Sequence, residues 1–212
     1  MNDIIVYTCI TNGKDTLKEY PPEEGVRYIC FTDGTVSPKT SQWKLQDLTW
    51  THEDPRRISR YHKMHPNKVL PEHGISVWID GSLVPRVRIT DLVDRCGRVS
   101  YSARPHPGWN CIYTEAQAIL RLGFDKPENI IPVVKRYQSE GFPPHFGLHE
   151  TGVLIRHSTD EVQRFDEQWW KEVSENSKRD QMSFDYVRWK TGMEIGMIPK
   201  EWFFQIGHTH ME

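Results

Sequence analysis

The segment Ser76-Val77-Trp78-Ile79-Asp80-Gly81-Ser82-Leu83-Val84 constrains this chain more than any other stretch of it. A short apolar run leads into one aspartate, then a glycine, then a second apolar stretch. Such a run reads as a strand covered on both faces, because a strand with one wet face would alternate polar and apolar residues. A lone carboxylate is not buried without a partner, so Asp80 belongs at the strand's end, where Gly81 lets the backbone turn sharply. In an open α/β sheet such strand ends form the rim at which ligands bind. An aspartate that merely caps a turn explains the segment alone equally well, so the surrounding residues decide.

The rest of the chain supplies strands and helices in alternation. Strands are expected at 3–10, 27–33, 43–48, 75–79, 99–103 and 152–157, and the chain closes with the apolar run 202–206. Helices are expected at 54–63, 90–96, 113–122, 129–140, 158–176 and 184–190. Asp54 is a natural N-cap with Pro55 at the first helical position, and Asn12-Gly13 signals a turn. In the longest helix Val162, Phe165, Trp169 and Val173 recur at helical spacing. The alternation implies a largely parallel sheet with helices on both faces. A chain of 212 residues is the right size for one Rossmann-like α/β domain spanning 1–212.

Composition removes several classes. With 27 basic and 29 acidic residues, no global field recruits nucleic acid or an anionic membrane. No apolar run is long enough to span a bilayer. Asp3 stands where a signal peptide would be basic, so none is expected. Cys9, Cys30, Cys96 and Cys111 form no C-x-x-C pair, and Cys9 and Cys30 sit in apolar strand-like runs as small core residues, which fits a reducing, cytoplasmic setting. There is no Walker loop, G-x-G-x-x-G, H-E-x-x-H or G-x-S-x-G, so kinase, standard dinucleotide, zincin and serine-hydrolase chemistries are disfavoured.

What remains are clusters at strand ends. Thr8, Thr11, Asn12 and Gly13 close the first strand, and Thr32 and Asp33 close the second. If the two strands are parallel neighbours, these short polar groups meet at one rim and suit the base and ribose of a nucleotide, although two ordinary turns explain them too. Arg57, Arg60, His62, Lys63, His65 and Lys68 fall within twelve residues. Arg60 and Lys63 share a helix face and could grip a diphosphate; a solvated basic helix is the plainer explanation. His208 and His210 follow an apolar run at same-side strand spacing, and imidazole suits manganese or zinc; a loose tail is the alternative. Glu150 is the carboxylate of a Pro/Gly-bounded wall beginning at Gly141. Asp180, beside Gln181, can cap the helix that follows.

Taken in order, Val6–Gly13, Tyr28–Asp33, Asp54–Arg57, Trp78–Ser82, His106-Pro107, Cys111–Ala116, Glu140–Pro143, Gly147–Glu150, Trp169–Glu172 and Arg179–Phe184 resemble a glycosyltransferase-like family, formerly of unknown function, whose plant members are tied to pectin and mucilage synthesis. The likeness runs from about residue 4 to 192. It implies a single-domain GT-A fold, a nucleotide-sugar donor (a UDP-sugar expected), a hydroxyl acceptor and a divalent metal, manganese before magnesium. Carried over by position, Asp80, Gly81 and Ser82 fall on the metal- and donor-linked motif, with Asp80 as metal ligand. Ser82 departs from the Asp-x-Asp pattern, and His208 or His210 would then complete the metal shell. Glu150, Asp180 and Gln181 would face the acceptor. Acceptors left open are a glycan, a protein and a modified DNA base, the last not indicated by the net charge. Retention of anomeric configuration is preferred over inversion. The alternatives are a non-catalytic nucleotide-sugar or glycan-binding module and, less favoured, a lipid-amide hydrolase.

Overall fold

The computed structural model describes residues 3–37 and 41–205. Its centre is β1 (Ile4–Ile10), flanked in parallel by β2 (Val26–Thr32) and β4 (Ile75–Ile79), with β3 (Trp43–Asp47) parallel to β2 at one edge. Every residue of β1 and β4 is buried, as the apolar runs require of strands covered on both faces. Beyond β4 the direction changes. β7 (His149–His157) is antiparallel to β4, β6 (Tyr101–Pro105) is antiparallel to β7, and β8 (Gly196–Met197) is parallel to β6. The order is β3-β2-β1-β4-β7-β6-β8. The sheet is therefore mostly parallel but mixed. Two helices, α4 (Ile112–Leu122) and α5 (Pro127–Ser139), separate β6 from β7. The chain thus re-enters the sheet at the rim it left, with His149 opposite Pro105.

Alternate residues of β1 feed two cores. Ile5, Tyr7 and Cys9 pack with Ile58 of α1 (Pro55–Met64), Ile119 of α4, Trp169 of α6 (Asp160–Glu175) and Phe184 of α7 (Gln181–Thr191). Ile4, Val6 and Ile10 pack on the other face with Leu92 and Val93 of α3 (Ile89–Cys96), Ile198 and Phe203. Each such side chain contributes about 1.5–3 kcal/mol relative to exposure. Buried Arg156 on β7 crosses the first core. It donates to the Lys63 carbonyl and, at 2.9 Å, to Asp166, and it also bonds the Tyr7 hydroxyl. A short α2 (Pro66–Val69) follows α1. All four cysteines are free and buried. Among the described residues no helix is long and apolar enough to cross a membrane.

Several boundaries differ from the sequence expectation. α5 begins at Pro127, a proline at the first helical position, which makes Pro132 an interior residue rather than one near the start. β7 starts at 149 rather than 152 and α7 at 181 rather than 184. Within the apolar run that begins at Trp202, β9 (Phe203–Gln205) lies antiparallel to β5 (Leu83–Pro85), which directly follows Asp80-Gly81-Ser82.

Candidate functional site

A cleft of about 880 Å³ opens where β1 and β4 end. Asp80 sits at the end of β4, its backbone amide donating to the Gly152 carbonyl at 2.8 Å. Its Oδ1 accepts from Trp78 Nε1 at 2.6 Å and lies 3.7 Å from Lys63 Nζ. The glycines around it keep the space tight. A Cβ on Gly81 would stand 2.9 Å from Asp15 Cβ, and one on Gly152 2.7 Å from Leu83 Cδ1 and 3.4 Å from Asp80 Oδ2. β7 leaves its pairing with β6 between Ala103 and Arg104. As at a β-bulge, the unpaired residues 151–153 turn toward β4, which brings Thr151 and Gly152 under the cleft.

Beneath Asp80 lies a buried ion cluster. Lys63, fully buried, donates to Asp180 Oδ2 at 2.6 Å and to Thr151 Oγ1 at 3.1 Å. Arg60 Nε stands 3.1 Å from the other Asp180 oxygen, an ion pair without hydrogen-bond alignment. Burial alone would raise the Asp180 carboxyl; Arg60 and Lys63 beside it outweigh burial and hold it well below the usual carboxylate range. Burial pulls Lys63 down, against the pull of Asp180 and Asp80. The shared helix face of Arg60 and Lys63 is what brings both to one carboxylate. Asp180 does not cap α7 with its side chain, because both oxygens are taken by the cluster.

Thr11, Asn12 and Lys14 line the cleft from the end of β1. Asn12 and Gly13 both have positive φ, 55° and 57°, and the Lys14 amide donates to the Thr11 carbonyl, the geometry that Asn-Gly favours. The β1 and β2 ends do meet. Asp33 accepts from the Asn12 amide at 2.8 Å, and Thr35 Oγ1 from the Gly13 amide at 2.9 Å. Burial would raise Asp33; the Thr35 hydroxyl and the Asn12 and Thr35 amides outweigh it and hold it below its ordinary value. Thus Gly13 and Asp33 brace the loop and do not line the cleft. Thr8 is buried on the α3 side of β1, its Oγ1 without a hydrogen-bond partner, and Lys63 lies under the floor. Arg60, Asp80, Gly81, Ser82, Glu150, Asp180 and Gln181 all line the cleft.

Glu150 pairs with Arg104 at 3.3 Å, and Lys178 pairs with the N-cap Asp54 at 2.8 Å. Arg56, Arg104, Phe124, Lys178 and Arg179 also line the cleft, and sequence reasoning did not single them out as site residues. Lys178-Arg179 directly precede Asp180, an adjacency that could have flagged them; Arg104 is found only through strand pairing. Arg57 serves the fold instead, donating to the Val173, Ser174 and Asn176 carbonyls at the end of α6. His149 is held by buried Asp185 at 2.8 Å. No group of three or more His, Cys, Asp or Glu converges to hold a metal among the described residues. With Asp80 Oδ1 already bound to Trp78, these residues alone do not fit a resident divalent ion. His208 and His210 lie outside the described residues.

The family model described as TOD1/MUCI70, glycosyltransferase-like domain, matches residues 39–209. The chain belongs to this family. The TOD1/MUCI70 match spans the Asp80 strand end, the Arg60/Lys63 helix, the Glu150 wall and the Arg179–Phe184 turn, all but the β1 and β2 side of the cleft. A stretch of 110 residues is also 26% identical to a nitrate reductase (NADPH) of Fusarium oxysporum, covering 51% of this chain and 12% of that protein. The chain therefore spans about an eighth of that relative's length.

Proposed function

We propose that the chain transfers a sugar from a nucleotide-sugar donor, a UDP-sugar in the first instance, to a hydroxyl acceptor in the 880 Å³ cleft. The observation that carries this is the cation cluster set around Asp80 at the rim of the sheet, in a chain of glycosyltransferase-like family. Thr11 and Asn12 take the base and ribose end. Arg60, with Arg56 and Lys14 on the same wall, faces the diphosphate. Asp180 fixes Arg60 and Lys63 in place, and its charge is held by them, so it positions cations rather than accepting a proton.

As the bond from the anomeric carbon to the phosphate oxygen breaks, negative charge grows on the leaving diphosphate. Fixed cations lower that barrier because they need not reorganise. The acceptor oxygen bonds to the anomeric carbon, and its proton passes to the departing phosphate oxygen. Glu150 is the alternative proton acceptor, reached by an inverting course, but its charge is already committed to Arg104. Retention is therefore the preferred course. A divalent ion at Asp80 would take its remaining ligands from the donor's phosphate oxygens or from residues beyond 205.

The test is a thermal-shift and calorimetric screen of nucleotide sugars with and without manganese, followed by assay of free diphosphate and transferred sugar. A ligand at a hundred times its Kd stabilises the fold by about 2.7 kcal/mol. Binding with no turnover on any acceptor would make the chain a binding module. Absence of binding by every nucleotide sugar would sink the transferase reading.

A further inference from the structure

We propose that the Phe124–Arg179 corner of the cleft is the acceptor subsite, and that it seats a pyranose ring of a carbohydrate acceptor. The inference rests on the transferase reading and adds the acceptor's chemical class to it. Phe124 is 46% exposed, yet it lines the same cleft as Asp80. An aromatic ring left open inside a polar cleft is a platform for an apolar ligand face, and the C–H face of a pyranose is one.

The ring is held in advance. Gly123 ends α4 in the left-handed region at φ 66°. The Gly123 and Phe124 amides donate to the carbonyls of Leu120 and Ile119 at 3.3 and 3.0 Å, the bonds of a Schellman motif. In that motif an apolar residue at the Phe124 position usually packs back on the helix; here the ring stays open and the Arg179 guanidinium stands 5.2 Å over it. Asp125 ties this turn to the opposite wall, accepting from Ser177 Oγ at 2.6 Å, and Ser177 Oγ in turn accepts from the Arg179 amide at 3.1 Å. Arg179 Nε is buried with no hydrogen-bond partner, a donor that lacks an acceptor where buried donors are almost always paired.

The cleft wall also selects the ligand's chemistry. It alternates carboxylates with cations, as Asp54–Lys178 and Glu150–Arg104. Hydroxyls donate to one member of such a pair and accept from the other. A phosphodiester chain would meet a carboxylate beside Lys178 and beside Arg104. The observations therefore favour a polyol over a nucleic acid.

The experiment is saturation-transfer NMR of the full chain with methyl gluco-, galacto-, manno- and xylopyranosides, comparing wild type with Phe124→Ala and Phe124→Trp. Nucleoside-diphosphate titration and thermal melting run alongside. The expected result is saturation of pyranoside ring protons by the wild type, affinity about fivefold weaker in Phe124→Ala and retained in Phe124→Trp, with unchanged melting. Equal binding by wild type and Phe124→Ala overturns the proposal, as does binding of none of the four glycosides. A short single-stranded oligonucleotide whose binding Phe124→Ala abolishes overturns it in favour of a nucleobase acceptor. A changed sedimentation coefficient in Phe124→Ala overturns it in favour of self-association. Nucleotide-sugar binding reports on the transferase reading separately, so the two failures are distinguishable.

Discussion

Asp180 and Asp80 are two carboxylates in one cleft with opposite dependences. Asp180 is buried and bound on both oxygens by cations, one of them a lysine with no exposure at all. Asp180→Asn leaves Lys63 and Arg60 without their counter-charge, and such a loss costs about 3–5 kcal/mol. Urea unfolding reads it; a loss below about 1 kcal/mol would show that Asp80 alone compensates. Asp80 has an open side, and removing it deprives Trp78 Nε1 of its acceptor. Asp80→Ala is therefore expected to cost only about 1 kcal/mol of stability, while sugar transfer falls by about a hundredfold or more. Full activity with every donor would dissociate Asp80 from the reaction. Asp80 could be placed from sequence because apolar run, carboxylate and glycine make a local pattern. The dependence of Asp180 on Lys63 could not, since 117 residues separate them and no local signal records the pairing.

At the scale of elements, α1 is the hub, and its sequence understates this. Read along the chain, Arg57 to Lys68 looks like a basic solvated helix. In the fold, Ile58, His62, Lys63 and Met64 are buried, because the stripe that faces the sheet contains the histidine and lysine as well as the apolar residues. His62 lies in the last turn, where the helix dipole favours imidazolium by at most about 2 kcal/mol; burial wins and lowers His62, and it lowers His65 further, to about 4. Both histidines are thus neutral in the fold. The unfolded chain takes up these protons near the ordinary value of about 6.5, so the two histidines' share of stability is complete above that pH and is lost as pH falls from about 6.5 toward about 4, while Asp166, raised by burial, works in the opposite direction. Asp180 contributes nothing to this decline, because its folded-state value is depressed and its share is lost only in stronger acid. Urea melts across the window should show the decline, with a shallower slope for His65→Gln. An unchanged slope would place the acid sensitivity elsewhere. Element identity was legible wherever periodicity was strong, as in α6. A boundary slipped at α5, where Pro127 occupies the first helical position and starts the helix two residues before the expected Asn129.

At the scale of the whole molecule, β4 joins a parallel half, β1 to β4, to a half where β7 and β6 alternate in direction. Strand–helix alternation reports the direction of neither half, because β1, β2 and β3 follow one another with no helix between them and α4 and α5 return the chain to the rim it left, which only pairing reveals. The parallel half carries the Thr11–Lys14 loop, and the remaining half brings Glu150, Phe124, Arg179 and Gln181 to the cleft. The C-terminal segment belongs with the seam. β9 pairs with β5 so that Gln205 stands opposite Leu83, three residues past Asp80. We propose that His208 and His210 supply ligands to a divalent ion held together with the donor's phosphates. Removing residues 208–212 should then weaken manganese-dependent nucleoside-diphosphate binding about tenfold, within the range for lost support of a metal site, and leave metal-free binding unchanged. Equal manganese dependence in both proteins would make the tail a bystander.

The closed turn at Gly123 and Phe124 has a consequence for how such a protein can change over time. Its backbone bonds are made by main-chain atoms, and the ring they present contributes little to either core. Drift at position 124 is thus nearly invisible to folding. Lineages can sample aromatic, aliphatic or polar residues there, and, with the ring as the proposed acceptor platform, selection would act on the choice of acceptor long before it acted on thermostability.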